Sequence, residues 1–184
     1  MKYIISRIIL GLIGWKVVAP EEIKKEARNT VTIAAPHTSN FDTFLALGTF
    51  WQMRLPMKFL IKDFYTKWYF FGFFTWLGAI GVNREQRSNL VATSARLMKE
   101  GDINLIVSPE GTRSYAEKWK SGFYYIAKEA GVDISLGFVD YKNKRAGITK
   151  VISPTTLEET KAELTAFYKD IQGKYPEKFN TNMK

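Results

Sequence analysis

Blocks of apolar residues separated by turn residues predict short strands alternating with helices along this chain. Residues 31–35, Val-Thr-Ile-Ala-Ala, form a largely β-branched run that stops at Pro36, and residues 43–53 beyond it are apolar nearly all round, as in a helix buried on several sides. Residues 57–61 predict a second strand, and residues 79–82 a short one bracketed by Gly78 and Asn83. Leu90, Val91, Ser94, Leu97 and Met98 then recur at helical spacing, with Ser88 placed as a cap and Gly101 as a stop. Residues 103–107 read as a buried strand running straight into a loop. Ser121 opens a helix through Ala130 that Gly131 ends, and the runs 134–141 and 148–152 flank a turn at 142–147 in the manner of a hairpin. Leu157, Leu164, Phe167, Tyr168 and Ile171 give one face to a last, polar helix, and Gly173 opens a tail that reads as loose.

This alternation predicts an α/β fold: a single layered domain with a mostly parallel central sheet, flanking helices and a late antiparallel hairpin. It divides the chain into an N-terminal apolar helix (1–14), a main domain (15–172) and a C-terminal tail (173–184). No repeat or low-complexity linker interrupts it.

Two segments are more apolar than such a fold requires. Residues 1–20 are broken by Arg7 and Lys16, lack a small-residue cleavage site, and fall short of the roughly 20 predominantly apolar residues that cross a bilayer. They can lie on a membrane, or pack as a helix on the domain's own core. Residues 64–77, Phe-Tyr-Thr-Lys-Trp-Tyr-Phe-Phe-Gly-Phe-Phe-Thr-Trp-Leu, are dominated by aromatics, which favour a boundary between water and an apolar phase. They predict a helix, either interfacial or carrying a large aromatic load into the core.

Composition narrows the chemistry. The 184 residues include 27 Lys+Arg against 18 Asp+Glu, a net charge of +9, with 46% hydrophobic residues, which suffices for a sizeable core. The absence of cysteine and the single histidine exclude disulfides, thiolate metal sites, cysteine nucleophiles and histidine-rich metal centres. The positive balance suits a polyanionic partner: nucleic acid, an anionic membrane surface or a phosphorylated substrate.

Reactive residues concentrate in two loops that leave strands, where α/β folds gather their chemistry. The first, residues 36–42 (Pro-His-Thr-Ser-Asn-Phe-Asp), holds the only histidine. An imidazole titrating near neutrality can act as a general base, and a carboxylate on its other nitrogen fixes tautomer and orientation, so His37 and Asp42 make a candidate dyad. The plainer reading has Asp42 capping the following helix and His37 meeting solvent. The second loop, residues 108–114 (Ser-Pro-Glu-Gly-Thr-Arg-Ser), offers Glu110 as a hydrogen-bond acceptor, Gly111 for close approach and the planar fork of Arg113 for a phosphate. Its plainer reading is a surface turn with Glu110 paired to Arg113.

Together the loops resemble those of the glycerolphosphate and lysophospholipid acyltransferases, the family of bacterial 1-acylglycerol-3-phosphate acyltransferases. His37-Thr-Ser-Asn-Phe-Asp42 matches the family's His-x4-Asp block, Pro109-Glu-Gly-Thr-Arg-Ser114 matches its Pro-Glu-Gly-Thr block in full, and Gly78-Ala-Ile-Gly-Val-Asn-Arg84 matches less closely its glycine-containing block ending in Arg. The resemblance covers about residues 15 to 155. It implies transfer of a fatty acyl group from a thioester, acyl-coenzyme A or acyl carrier protein, to the hydroxyl of a lysophospholipid, most directly 1-acylglycerol-3-phosphate, with no cofactor. It assigns general-base and orienting roles to His37 and Asp42, the acceptor site to Glu110, Gly111, Thr112 and Arg113 with Arg84 at the phosphate, and the oxyanion to Lys62. It also implies a peripheral or monotopic place on the cytoplasmic face of the membrane, drawn to an anionic surface. Ser108 and Gly81-Val-Asn-Arg84 stand where the family usually has aromatic residues, and the proline of a fourth block is missing from residues 134–139, so a different lysolipid, such as a lyso-amino lipid, is an alternative acceptor.

Two other classes compete. A basic binding module would use Lys24, Lys25, Arg28, Lys118 and Lys120 on nucleic acid, but the aromatics cluster in one block instead of interleaving with charge, so no nucleic-acid partner is expected. A serine hydrolase would use Ser39 beside His37, without the Gly-x-Ser-x-Gly elbow that exposes a nucleophile.

Overall fold

The structure, a computed structural model, describes residues 1–82 and 90–180. Its centre is a seven-stranded sheet. The strands are β1 (Lys16–Val18), β2 (Val31–Ala35), β3 (Met57–Lys62), β4 (Ala79–Val82), β5 (Asn104–Val107), β6 (Ile134–Asp140) and β7 (Arg145–Ile152), in the order β1-β7-β6-β2-β5-β3-β4. From β6 to β4 every pairing is parallel; β7 turns back antiparallel to β6, and β1 runs alongside β7. This is the expected α/β layered sheet with its late hairpin, extended at one edge by β1, a strand too short to be distinguished in the sequence.

Helices cover both faces, which is why β6 is buried at every position and β2 at all but Ala34. Val31, Ile33 and Ala35 of β2 join Leu105, Leu136 and Ile134 beneath Phe123 and Ile126 of one helix, α6 (Gly122–Ala130), and Leu164 and Tyr168 of another, α7 (Leu157–Tyr168). On the opposite face lies α3 (Phe41–Met53), whose Leu45, Phe50 and Met53 pack over Val139, Ala146 and Ile148 of the hairpin. A polar seam locks the inner strands at the end away from the loops of interest. The Thr30 hydroxyl meets Asn104 Oδ1 at 3.0 Å and the Ser135 hydroxyl at 2.8 Å, and Ser135 reaches the Thr32 hydroxyl at 2.7 Å.

The remaining helices are α1 (Lys2–Leu12), α2 (Glu21–Glu26), α4 (Phe73–Leu77) and α5 (Leu90–Glu100). Ser88, expected to cap α5, lies outside the described residues. The single helix expected over residues 64–77 is instead two 3-10 turns, Asp63–Thr66 and Trp68–Phe70, followed by the five-residue α4. Phe71 (φ 48°) and Gly72 (φ 69°) take left-handed backbone between them, which ends a right-handed helix, and bulky aromatics at successive positions do little to oppose the break.

Residues 173–180, read from the sequence as loose, cross the end of the sheet where β2 and β6 emerge. The Tyr141 N–H donates to Gln172 O (2.9 Å), the Tyr175 N–H to Thr38 Oγ1 (3.2 Å), and Trp119 Nε1 to Asn180 O (3.1 Å).

Gly147 joins the edge strand to the sheet, and a Cβ there would lie 1.8 Å from the carbonyl oxygen of Val18. Gly147→Val is expected to force β1 off β7 and lower stability by about 1–3 kcal/mol; an unchanged denaturant midpoint would show that the edge contributes nothing.

Candidate active site

Parallel pairing of β2 with β5 and β6 brings three chain segments to one edge of the sheet. Ile33 stands beside Val107, and Ala35 beside Phe138, so the loops after β2 and β5 and the turn after β6 all leave together. Their side chains meet around Asp42.

Asp42 is the second residue of α3 and is only 3% exposed. Its Oδ2 accepts the backbone N–H groups of Thr38 and Ser39, both at 2.8 Å, which folds the intervening loop into a tight turn. Its Oδ1 accepts the Tyr141 hydroxyl at 2.6 Å. His37 Nδ1 lies 3.5 Å from Oδ2, within ion-pair reach. Nδ1 therefore faces the carboxylate, and Nε2 is the nitrogen left for chemistry. Asp42 does not cap α3 as the plainer reading has it: it lies inside the helix, whose N-cap Asn40 makes no side-chain cap bond, and its Oδ2 binds N–H groups of the loop before it.

Glu110 is also buried, at 4% exposure, and both its oxygens receive the backbone N–H of His37 (3.0 and 3.3 Å). It thus ties the two loops together instead of pairing at the surface. Burial pushes its carboxyl up to about 7; the His37 N–H opposes that shift and the nearby Asp42 charge adds to it. Gly111 takes φ 65°, and a Cβ there would come 2.5 Å from Lys120 Nζ, so the glycine lets that ammonium lie against the loop. The Lys120 N–H also donates to Pro109 O at 2.8 Å. Thr112 Oγ1 accepts the Ser114 N–H at 3.2 Å, and the Arg113 side chain is exposed beside it.

A cavity of about 210 Å³ opens at His37 and runs between α3 and the sheet. Small side chains make the space: Ala34, Ala46, Thr49, Gly137 and Gly147 line it, and Phe50, Met57 and Leu60 give its far walls an apolar character. Lys62 ends β3, exposed and separated from β2 by β5, and is not in the cavity lining. Arg84 lies outside the described residues. Ser39 Oγ accepts the Phe41 N–H at 3.1 Å and serves the turn. The basic residues of the binding-module reading do not form one patch: Arg28 pairs with Asp102 (2.6 Å) next to the start of β2, and Lys24 pairs with Glu21, whereas Lys120 lies at the other end of that strand's axis beside Gly111. The described residues contain no cluster of three metal-ligating side chains.

The acyltransferase family model matches residues 15–136, a span that contains His37, Asp42 and Glu110. The chain belongs to the acyltransferase family. The crystal structure of the 1-acyl-sn-glycerophosphate (LPA) acyltransferase PlsC from Thermotoga maritima superposes on this acyltransferase with a TM-score of 0.65, over 91% of this chain and 75% of that one, at 17% identity. At that identity the likeness is one of fold. A search of curated proteins gives no match.

Sequence reasoning missed two residues of the acyltransferase's site. Tyr141 read only as the end of a strand, and Lys120 only as a basic residue of the nucleic-acid-binding alternative. The available signal was positional: both lie at or just beyond loops at the sheet edge where the other site residues emerge.

Glu110 also makes stability depend on pH. An unfolded glutamate ionises near 4.5, whereas the folded one holds its proton to about 7, so the native state loses stability as pH rises through that window and the loss is complete above it. Relative to Glu110→Gln, the unsubstituted protein is expected to lose up to about 3 kcal/mol between pH 4.5 and 7. Parallel denaturant melts from pH 4 to 8 check this, and a pH-independent difference would count against it.

Proposed function

We propose that the protein transfers a fatty acyl group from a thioester donor, acyl-coenzyme A or acyl carrier protein, to the free hydroxyl of a lysophospholipid, with 1-acylglycerol-3-phosphate as the favoured acceptor. The observation that carries this reading is a His-Asp pair at the mouth of an apolar cavity in an acyltransferase fold. His37 Nε2 takes the proton of the acceptor hydroxyl as its oxygen attacks the thioester carbonyl carbon, while Asp42 stabilises the imidazolium that forms. The carbonyl oxygen gains negative charge in the tetrahedral intermediate. The C–O bond is then complete, the C–S bond breaks, and the thiolate leaves with the proton returned from His37. No acyl-enzyme is required.

The cavity beneath α3 suits the donor's acyl chain, since every CH₂ kept from water is worth about 0.8 kcal/mol. Glu110, Gly111, Thr112 and Arg113 form the acceptor side, with Arg113 and Lys120 supplying positive charge for a phosphate. Arg84 at the phosphate and Lys62 at the oxyanion are assigned by resemblance, the latter from a strand that β5 separates from β2. Departures in the blocks around Arg84 and Ser108 make a lysolipid with a different headgroup the second acceptor reading.

The test is thiol release from a long-chain acyl-coenzyme A with and without lysophosphatidic acid. Acceptor-dependent release is expected, falling about 10²–10⁴-fold in His37→Ala. Release that ignores the acceptor and survives the substitution would sink the mechanism. Silence across a panel of coenzyme A and carrier-protein donors with several lysolipids, together with salt-sensitive oligonucleotide binding, would favour the basic binding module.

The same reading places the protein on the cytoplasmic face of a membrane as a monotopic enzyme. Among the described residues no helix is long and apolar enough to cross a bilayer. α1 buries only Ser6 and Leu10, leaving Ile4, Ile8, Ile9 and Leu12 exposed, while Trp68 and Phe71 are 83% and 91% exposed. Lys2 joins α1 to α4, donating to Trp76 O at 3.0 Å and lying 4.2 Å from the Trp76 ring centroid, so both segments belong to one apolar surface. That surface is suited to shallow insertion, with the basic charge attracting anionic headgroups. The double substitution Trp68→Ser/Phe71→Ser is expected to weaken binding to anionic vesicles by at least about tenfold, given roughly 1.5–3 kcal/mol for each large apolar side chain buried. Undiminished flotation would move the membrane contact elsewhere.

A further inference from the structure

The geometry points to Tyr141 as a positioning residue of the acyl-transfer site, its hydroxyl holding Asp42 so that the other carboxylate oxygen is kept for His37. This rests on the proposed role of the His37-Asp42 pair. Asp42 has two oxygens with different duties. Oδ2 takes the Thr38 and Ser39 N–H groups and faces His37 Nδ1; Oδ1 takes the Tyr141 hydroxyl, at the shortest of these distances, 2.6 Å. A partial rotation of the carboxylate about its last torsion, short of the half-turn that merely exchanges its equivalent oxygens, would turn the nearer oxygen away from His37, and on the Oδ1 side the tyrosine bond opposes it.

The phenol is itself firmly placed. Its ring meets Trp15 edge-on at 4.9 Å, its backbone N–H donates to Gln172 O, and it follows Asp140, a fully buried carboxylate that accepts from Asn143 and Arg145 to shape the β6–β7 turn. Burial, then the bond to Asp42 and its charge, raise the phenol's pKa further above the ordinary tyrosine value, so the hydroxyl stays a donor at every pH at which the enzyme works.

A donor on Oδ1 draws negative charge away from Oδ2 and weakens the pull of Asp42 on the imidazolium. Without it His37 should hold its proton to higher pH, and the free base that accepts the acceptor's proton becomes scarcer. Among the described residues, the other ionisable groups brought to this cluster are Glu110, through the His37 N–H, and Tyr175 with Lys174 from the C-terminal segment. All three are unchanged by substitution at position 141, so their effects cancel in a comparison of variants.

His37 is the only histidine in the sequence, so one imidazole resonance in an NMR titration belongs to it without assignment. Tyr141→Phe is expected to raise its midpoint. In an Asp42→Asn background the same change should shift nothing, since the tyrosine acts through that carboxylate. In kinetics, Tyr141→Phe should lower kcat several-fold with little change in KM and move the acidic limb of the rate profile upward by the same interval as the titration. An unmoved His37 midpoint in Tyr141→Phe, or an equal shift in the Asp42→Asn background, would overturn the proposal. Should Tyr141→Phe not fold, the hydroxyl proton decides: the unsubstituted protein should show it as a slowly exchanging downfield resonance that Asp42→Asn abolishes, and its absence would also overturn the proposal. Because the titration needs no turnover, it judges the tyrosine's role separately from acyl transfer, whose failure would appear as absent thiol release.

Discussion

A carboxylate removed from water as fully as Asp42 has to be solvated by the protein itself, and its donors come from parts of the chain far apart in sequence. Thr38 and Ser39 supply backbone N–H groups from the loop before α3, and Tyr141 supplies a hydroxyl from the end of β6. The loop's shape, the start of the helix and the exit of the hairpin are therefore set by one requirement. The C-terminal segment is bound into the same arrangement, because Tyr141 and Thr38, which both serve Asp42, are also among the residues it contacts. His37 inherits its orientation from this assembly.

The second buried carboxyl stands in a different environment. Glu110 receives one backbone N–H where Asp42 receives two and a hydroxyl, and burial dominates its behaviour, holding it protonated to about pH 7. Two acidic groups in one site thus differ through their surroundings and can take different roles, one beside the imidazole ring and the other joining the loops. The glycine after Glu110 lets Lys120 approach, so an ammonium lies against the loop that carries the buried acid.

α3 separates two apolar spaces. On its inner side small residues leave the cavity that starts at His37; on its outer side Phe44, Leu47, Gly48 and Trp51 line a second cavity, of about 400 Å³, closed by α1 and α4. Gly48 permits that packing: Leu10 and Ser6 press against it, and the Ser6 hydroxyl donates to its carbonyl at 2.6 Å. The exposed isoleucines of α1 and the rings at 68–76 continue the outer apolar surface. An apolar face carried this far toward solvent is costly for a protein surrounded by water alone, and the segments that carry it pack on the helix whose first turn holds Asp42.

Much of this was legible in the sequence. Strand and helix periodicities depend on local spacing, so Val31–Ala35, the helix ending at Gly131 and the β6–β7 hairpin could be read from neighbours alone. The two loops announced themselves because their reactive residues are close in sequence: His37 and Asp42 share one loop and its helix, and Glu110 to Arg113 another. The broken helix at Phe71 and Gly72 was not legible, since composition favoured an apolar helix and the left-handed backbone emerged only in the folded chain. Nor was the C-terminal segment, whose polar composition hides anchors that are mostly backbone groups. Tyr141 and Asp42 lie 99 residues apart, and Lys120 is nine from Gly111; nothing local links either pair. The sequence by itself determined the elements, the chemistry available and the family those motifs resemble. Only the tertiary structure decided which donors reach which carboxylate oxygen, because strand order and register, set by burial across the whole sheet, fix contacts that no local pattern encodes.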